Sequence, residues 1–199
     1  MALQAIPEAD KKRKDIALFA NDDLAQMRLS QGKFRETIEI SNQTLKSAPD
    51  ISTDEVADLT LATALAEGRI GQLKPARLHA DKLLTLGKQN SDEGVVAQAE
   101  LVGAEISLLE NHPEKAPPLL NPAIEYFSSK GMKESEWKSW LVSARAAKAL
   151  GNSVKCSRDS RKALDILRDL EQSWGSAVYS QYSSRSDNRN GIRELSRIR

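Results

Sequence analysis

An alanine stands seven residues ahead of a turn-forming residue four times along this chain: Ala25 before Gly32, Ala64 before Gly71, Ala104 before Asn111 and Ala144 before Gly151. The copies lie 39, 40 and 40 residues apart, and self-similarity at such a period marks a stacked array of helical hairpins. Gly and Asn enter the left-handed backbone region at the lowest steric cost, which suits them to closing a helix. A small side chain follows five residues after each turn, at Thr37, Ala76, Ala116 and Cys156, and a further matched position twelve after it, at Thr44, Leu83, Ala123 and Ala163. Small residues at facing positions let helix axes approach to the short end of the usual packing range of about 8–10 Å. This is a packing code and carries no chemistry of its own.

With those residues in place, the pattern resembles the tetratricopeptide repeat, a helix–turn–helix unit of about 34 residues. The first copy reads Leu24-Ala25, Gly32-Lys33-Phe34, Thr37 and Pro49; the second keeps Ala64, Gly71, Leu73, Ala76 and Leu83; the fourth keeps Trp140, Ala144, Gly151 and Ala163. The third departs most, with Asn111 and Pro113 at its turn and Pro117, Pro118 and Pro122 where its second helix should run. Proline in a helix interior costs about 3 kcal/mol, so that helix is expected to start late or to kink. The copies exceed the family's length by five or six residues, which calls for longer helices or longer links. The resemblance implies an all-α, right-handed α-solenoid of about four hairpins, near residues 18–48, 54–88, 93–130 and 134–172. These form one array over 1–172, closed by a capping segment over 173–199 in the same structural domain.

Composition agrees with long amphipathic helices: 40% of residues are apolar, only 5% aromatic, and 29% charged. The formal net charge is +1, so no global field points to nucleic acid or a membrane as partner. No run of 18 apolar residues exists, so no membrane insertion is expected, and Met1–Pro7 is too short and uncharged for a signal peptide. The single cysteine, Cys156, cannot form an internal disulfide and reads as a buried thiol. A cytoplasmic, reducing setting is expected. Met1 leads directly into a linker-like stretch, which would suit a piece of a larger protein.

Catalytic constellations are missing from the residue pattern, and no enzyme activity, cofactor or metal is expected. His79 and His112 are the only histidines, one on a helix and one at a turn, with no HExxH or Cys-rich spacing around them. No Gly-rich phosphate loop, GxSxG elbow or Cys–His pairing is present. Adjacent acids such as Asp22-Asp23 and Asp54-Glu55 do not converge on a helix, and a helix N-terminus accounts for the latter pair. Lys11-Lys12-Arg13-Lys14 is flanked by Glu8, Asp10 and Asp15 and reads as a solvated helical turn rather than a nucleic-acid tract.

The tail breaks the period. Trp174-Gly175, Tyr179, Tyr182, Arg185 and Asp187, followed by Ile192, Leu195 and Ile198 at helical spacing, read as a short helix, a loop and a final helix that covers the apolar end of the last hairpin. The same run resembles the end of tetratricopeptide arrays at the C-termini of large bacterial signalling proteins, including some serine/threonine kinases. Five arginines, Arg185, Arg189, Arg193, Arg197 and Arg199, face two acids after residue 184.

The resemblance also implies a binding surface. In this family the first helices of successive hairpins line an inner groove, and by register that groove would hold Phe19, Asp22, Gln26 and Leu29; Asp58, Leu61, Leu65 and Gly68; Gln98, Leu101, Glu105 and Leu108; and Lys138, Leu141, Arg145 and Lys148. The groove would be acidic at one end, basic at the other and leucine-lined between, which suits an extended peptide or an amphipathic helix. The alternative is that these leucines pack against neighbouring helices or against the tail. Family members that clamp a chaperone's C-terminal carboxylate use Lys, Asn and Arg where this chain has Asp22, Gln26, Ala62, Gln98 and Val102, so the clamp is missing. The expected function is a protein-interaction scaffold, in a bacterial signalling or assembly context. Two alternatives are nucleic-acid binding through Lys11–Lys14 and the arginine tail, with steep salt dependence, and self-association into a homo-oligomer.

Overall fold

The computed structural model describes residues 19–47 and 51–197, and among them no strand occurs. Helix α1 covers 19–30. It is followed by α2 (Phe34–Ser47), α3 (Thr53–Arg69), α4 (Leu73–Gln89) and α5 (Glu93–Leu109). A 3₁₀ turn (Pro113–Lys115) then leads into α6 (Ala116–Ser129), α7 (Lys133–Ala149), α8 (Ser153–Trp174), α9 (Ser176–Ser184) and α10 (Ser186–Leu195). From α3 to α9 each helix packs on the one before it, and α5 additionally touches both α3 and α7. That nearest-neighbour connectivity is a helical-repeat solenoid. Pro49-Asp50, Lys11–Lys14, Ile198 and Arg199 lie outside the described residues.

The four turn residues of the repeat all take positive φ: +77° at Gly32, +79° at Gly71, +63° at Asn111 and +73° at Gly151. Ser91 and Gly131 do the same at +56° and +66°, closing the links between hairpins as well as within them. Each closure is built alike. At Gly71, for example, the Gly71 N–H donates to the Gly68 carbonyl (3.2 Å) and the Gln72 N–H to the Glu67 carbonyl (2.9 Å), satisfying the carbonyls that a helix end leaves over. From Gly71 to Gly151 such a residue recurs every 20 positions, because α3, α4, α5 and α7 are each 17 residues long and each link has three. The surplus length of the repeat is therefore helix, not loop. Side-chain caps reinforce the starts: Ser52 and Glu55 form a reciprocal capping box on α3, and Asp92 Oδ1 accepts from the Gly94 and Val95 N–H groups of α5.

The packing code holds. Ala25, Ala64, Ala104 and Ala144 are each 0% exposed, and Thr37, Ala76, Ala116, Cys156, Thr44, Leu83, Ala123 and Ala163 are all buried. The core is a relay of clusters. One joins α3, α4 and α5 through Ala64, Ala76, Ala80, Val102 and Ile106; the next joins α5, α6 and α7 around Leu120, Phe127 and Val142; the last joins α7 to α8, α9 and α10 around Trp137, Leu167 and Leu195. Cys156 sits against Ala144 and Ala147 as a buried free thiol.

In the third hairpin the second helix does start late, with Pro113 opening the 3₁₀ turn and Pro117 and Pro118 in the first turn of α6. Those positions have no intrahelical donor to lose. Pro122 lies inside α6 and does lose one.

The tail differs from expectation in one respect. Its loop is compressed to one residue, Arg185, which is extended (φ −56°, ψ 142°) between α9 and α10. Helix α10 packs on α9, α8 and α7, and its Leu195 is buried in the cluster of the last hairpin. The repeat period runs on into this segment, since Ser184 is 40 residues after Ala144 and Gly191 is 40 after Gly151. The chain nevertheless bends at Arg185 and places Gly191 within a helix.

Candidate interaction groove

Helices α1, α3, α5 and α7 form one face of the solenoid, and α10 lies across the far end of it. Together they enclose a cavity of about 650 Å³. Of the residues placed there by register, Gln26, Leu29, Leu61, Leu65, Gln98, Leu101, Glu105, Lys138, Leu141 and Arg145 line it. Six do not. Phe19 is 62% exposed; Asp22 and Asp58 stand at the acidic end outside the cavity; Gly68 borders a narrow crevice with Leu109; Leu108 packs on the α5–α7 core; and Lys148 is exposed to solvent. Of the chaperone-clamp positions, Ala62 and Val102 are buried in the helix packing, Val102 at the floor of the cavity.

Several lining residues also tie neighbouring helices together. Gln26 Nε2 donates to the Asp58 carbonyl (3.4 Å), Arg69 Nη2 pairs with Glu105 Oε2 (3.2 Å), and Gln98 Nε2 donates to Ser135 Oγ (3.0 Å). Leu101 and Leu141 are almost wholly buried and belong to the core as much as to the groove. The alternative raised by the sequence, packing of groove leucines against helices and tail, describes these two. Leu29, Leu61 and Leu65 remain partly open.

The basic end is occupied by the chain's own tail. Lys138 Nζ lies 3.8 Å from Asp187 Oδ2, and Arg145 holds Glu194 Oε2 through Nη2 (2.7 Å) and Nε (3.0 Å). Trp137, 1% exposed, donates through Nε1 to Tyr182 Oη at 2.7 Å, and the Trp174 ring meets Tyr182 edge-on. Burial raises the Tyr182 phenol above its ordinary range, so it stays a neutral hydroxyl able to accept this bond. Asn188, fully buried on α10, donates to the Tyr182 carbonyl at 3.1 Å. At its other end α10 touches the first hairpin, where Ser186 Oγ donates to the Ser30 carbonyl.

At the acidic end, the Asp22 carboxyl is pushed up to about 6, first by burial and then by Asp58, with Gln26 acting in the opposite direction. Among the described residues no group of three His, Cys, Asp or Glu side chains is placed to hold a metal. His79 Nδ1 hydrogen-bonds Glu67 Oε2 (2.7 Å) between α4 and α3, while His112 meets only the neighbouring Glu114 at the surface.

Sequence reasoning missed Arg69, Ser135 and Trp137, and the α10 residues Asp187, Asn190 and Gly191, all of which line the cavity. Arg69 lies four residues after Leu65 and so shares its face, a signal that was present. Nothing local announces that α10 returns to α7.

No family model and no curated protein matches the chain. Among solved structures, BtubC (BKLC) from P. vanneervenii aligns over 98% of this chain and 84% of its own, with a TM-score of 0.66 and 18% sequence identity. No described helix is long and apolar enough to cross a membrane. At that identity the likeness carries architecture alone, and the chain is an all-α helical-repeat solenoid of the same overall form as BtubC.

Proposed function

We propose that this chain is a non-catalytic scaffold of the tetratricopeptide type that binds a protein segment in its concave groove, in a cytoplasmic, bacterial signalling or assembly setting. The observation that carries this reading is the seating of α10. A short amphipathic helix already lies in one end of the groove, anchored by two ion pairs and a buried leucine, and this is how such a surface holds a helical ligand. The remaining cavity has three partly open leucines, Leu29, Leu61 and Leu65, rimmed by Gln26, Arg69, Gln98 and Glu105. Apolar anchors with polar flanks supply affinity and register in that order. The tail's resemblance to the ends of arrays in bacterial signalling proteins supports the setting.

The test is capture of partners from lysate of the source organism on the immobilised chain, beside a Leu29→Arg/Leu65→Arg variant. Arginine's aliphatic stem keeps contact with the wall while its head group charges the groove. Thermal melts confirm that the variant is folded. Proteins retained by the wild type and lost by the variant support the reading. Equal retention by both, or none by either, overturns it.

A further inference from the structure

Lys138 and Arg145 stand seven residues apart on α7, and α10 sets Asp187 and Glu194 against them at the same interval. The two helices therefore run parallel. Between the ion pairs Gly191 lies on Leu141 and Trp137, so close that a Cβ there would stand 2.7 Å from Leu141 Cδ2. One residue beyond Glu194, Leu195 enters the cluster shared by α7, α8 and α9 and is fully buried. The contact amounts to a recognition pattern on one helical face, acid-x3-Gly-x2-acid-Leu, read by a basic-apolar-basic wall.

This helix is held by proximity as much as by contact. It is joined to α9 through Arg185 alone. Both ion pairs are partly exposed, where such pairs contribute little and are screened by salt. A tethered segment competes at an effective concentration of about a millimolar, which is enough to fill a wall whose intrinsic affinity is modest.

Building on the reading of the groove as a protein-binding surface, we propose that the α7 wall is a receptor for short amphipathic helices that present this two-acid face, that α10 is its resident occupant, and that a partner helix with the same face binds by displacing α10. Weakening the tail opens the wall, and occupying the wall releases the tail.

The probe is a fluorescent peptide of residues 185–197, titrated against the whole chain and against an Asp187→Lys/Glu194→Lys variant. That variant reverses the tail's charges and leaves every wall residue intact. A second variant, Gly191→Val, dislodges α10 sterically and serves as an independent route to the same state. Circular dichroism establishes that all the chains are folded. The expected result is that the peptide binds either variant at least about tenfold more tightly than the wild type and that its affinity falls with salt. Adding Arg145→Glu to the Gly191→Val variant, whose tail keeps Glu194 and so cannot re-pair with the new acid, should abolish binding, and a peptide carrying Glu194→Arg should restore it. Equal affinity for wild type and variants, no binding to the variants, or binding indifferent to Arg145→Glu would overturn the proposal. A wild-type dimer in sedimentation would overturn it too, by seating a second copy's α10 in the groove. Such failures leave the α1–α3–α5 wall and its Leu29/Leu65 test untouched, so the two readings fail separately.

Discussion

Gly175 ends α8 at φ 78°, ψ 156°, a region that residues with a Cβ scarcely enter, and no atom lies within 4 Å of where its Cβ would be. The obstacle to substitution is backbone strain alone. Gly175→Ala should destabilise the chain by about 1–3 kcal/mol, read as a lower midpoint in urea; an unchanged midpoint would mean that the α8–α9 junction relaxes freely. Two aspartates make opposite demands. Asp22, lifted to about 6 from an ordinary 3.8, holds a proton in the folded state that the unfolded chain sheds between those values. Its contribution is therefore full below about pH 3.8 and lost as pH rises through about 6. Asp22→Asn should raise the melting temperature near pH 7, with the gain vanishing below about pH 4; a gain that persists there would sink the account. Asp159 is the reverse. Burial alone would raise it, but Lys155, Ser143 and Arg158 all bond its carboxylate and hold it below its ordinary value. Its contribution is present above about pH 3.8 and lost on acidification, so Asp159→Asn should hurt at neutral pH and matter progressively less toward acid.

Among the elements, α6 is the one whose sequence opposes its fold. Pro122 is exposed within the helix, so restoring its N–H would give the Pro118 carbonyl a donor without disturbing the core. Pro122→Ala should stabilise by up to about 3 kcal/mol, less the roughly 0.4–1 kcal/mol that proline contributes by stiffening the unfolded chain. Thermal unfolding measures the difference, and a loss of stability would mean that the proline ring makes a packing contact worth more than the bond. Helices α3, α5 and α8 carry local start signals, because Ser52, Asp92 and Asn152 cap them. The link residue Ser91 carries no such signal, since serine rarely takes positive φ; only the 20-residue rhythm of its neighbours marks it.

For the whole molecule, stability should grade from the middle outward. The α5–α7 cluster contains the densest run of fully buried side chains, Leu120, Phe127 and Val142 among them, whereas α10 contributes one buried leucine, Leu195, and the buried Asn188, its other links to α7 being two partly exposed ion pairs. Hydrogen exchange under native conditions should therefore find α10 less protected than α5, α6 or α7. Raising salt should speed exchange in α10 while leaving those helices unchanged. Uniform protection would argue that the tail is an integral part of the core. The same contrast explains how much of the groove was foreseen: α1, α3, α5 and α7 present their lining residues by repeat register, but the tail's route depends on contacts far apart in sequence.

What the sequence determined by itself was the rhythm. Small residues at 39 and 40-residue intervals allow close helix crossings, and Gly or Asn at each hairpin turn permits the left-handed closure; both are local consequences of side-chain size and backbone sterics. Tertiary structure alone decided which groove positions stay open. Gly191 and Ser184 keep the period, so local rules would continue the solenoid, but the ion pairs to Lys138 and Arg145, the hydrogen bond between Trp137 and Tyr182 and the burial of Leu195 are available only once α7 is in place. Those contacts join residues about 45–50 positions apart, and no sequence window short enough to show a helix can show them.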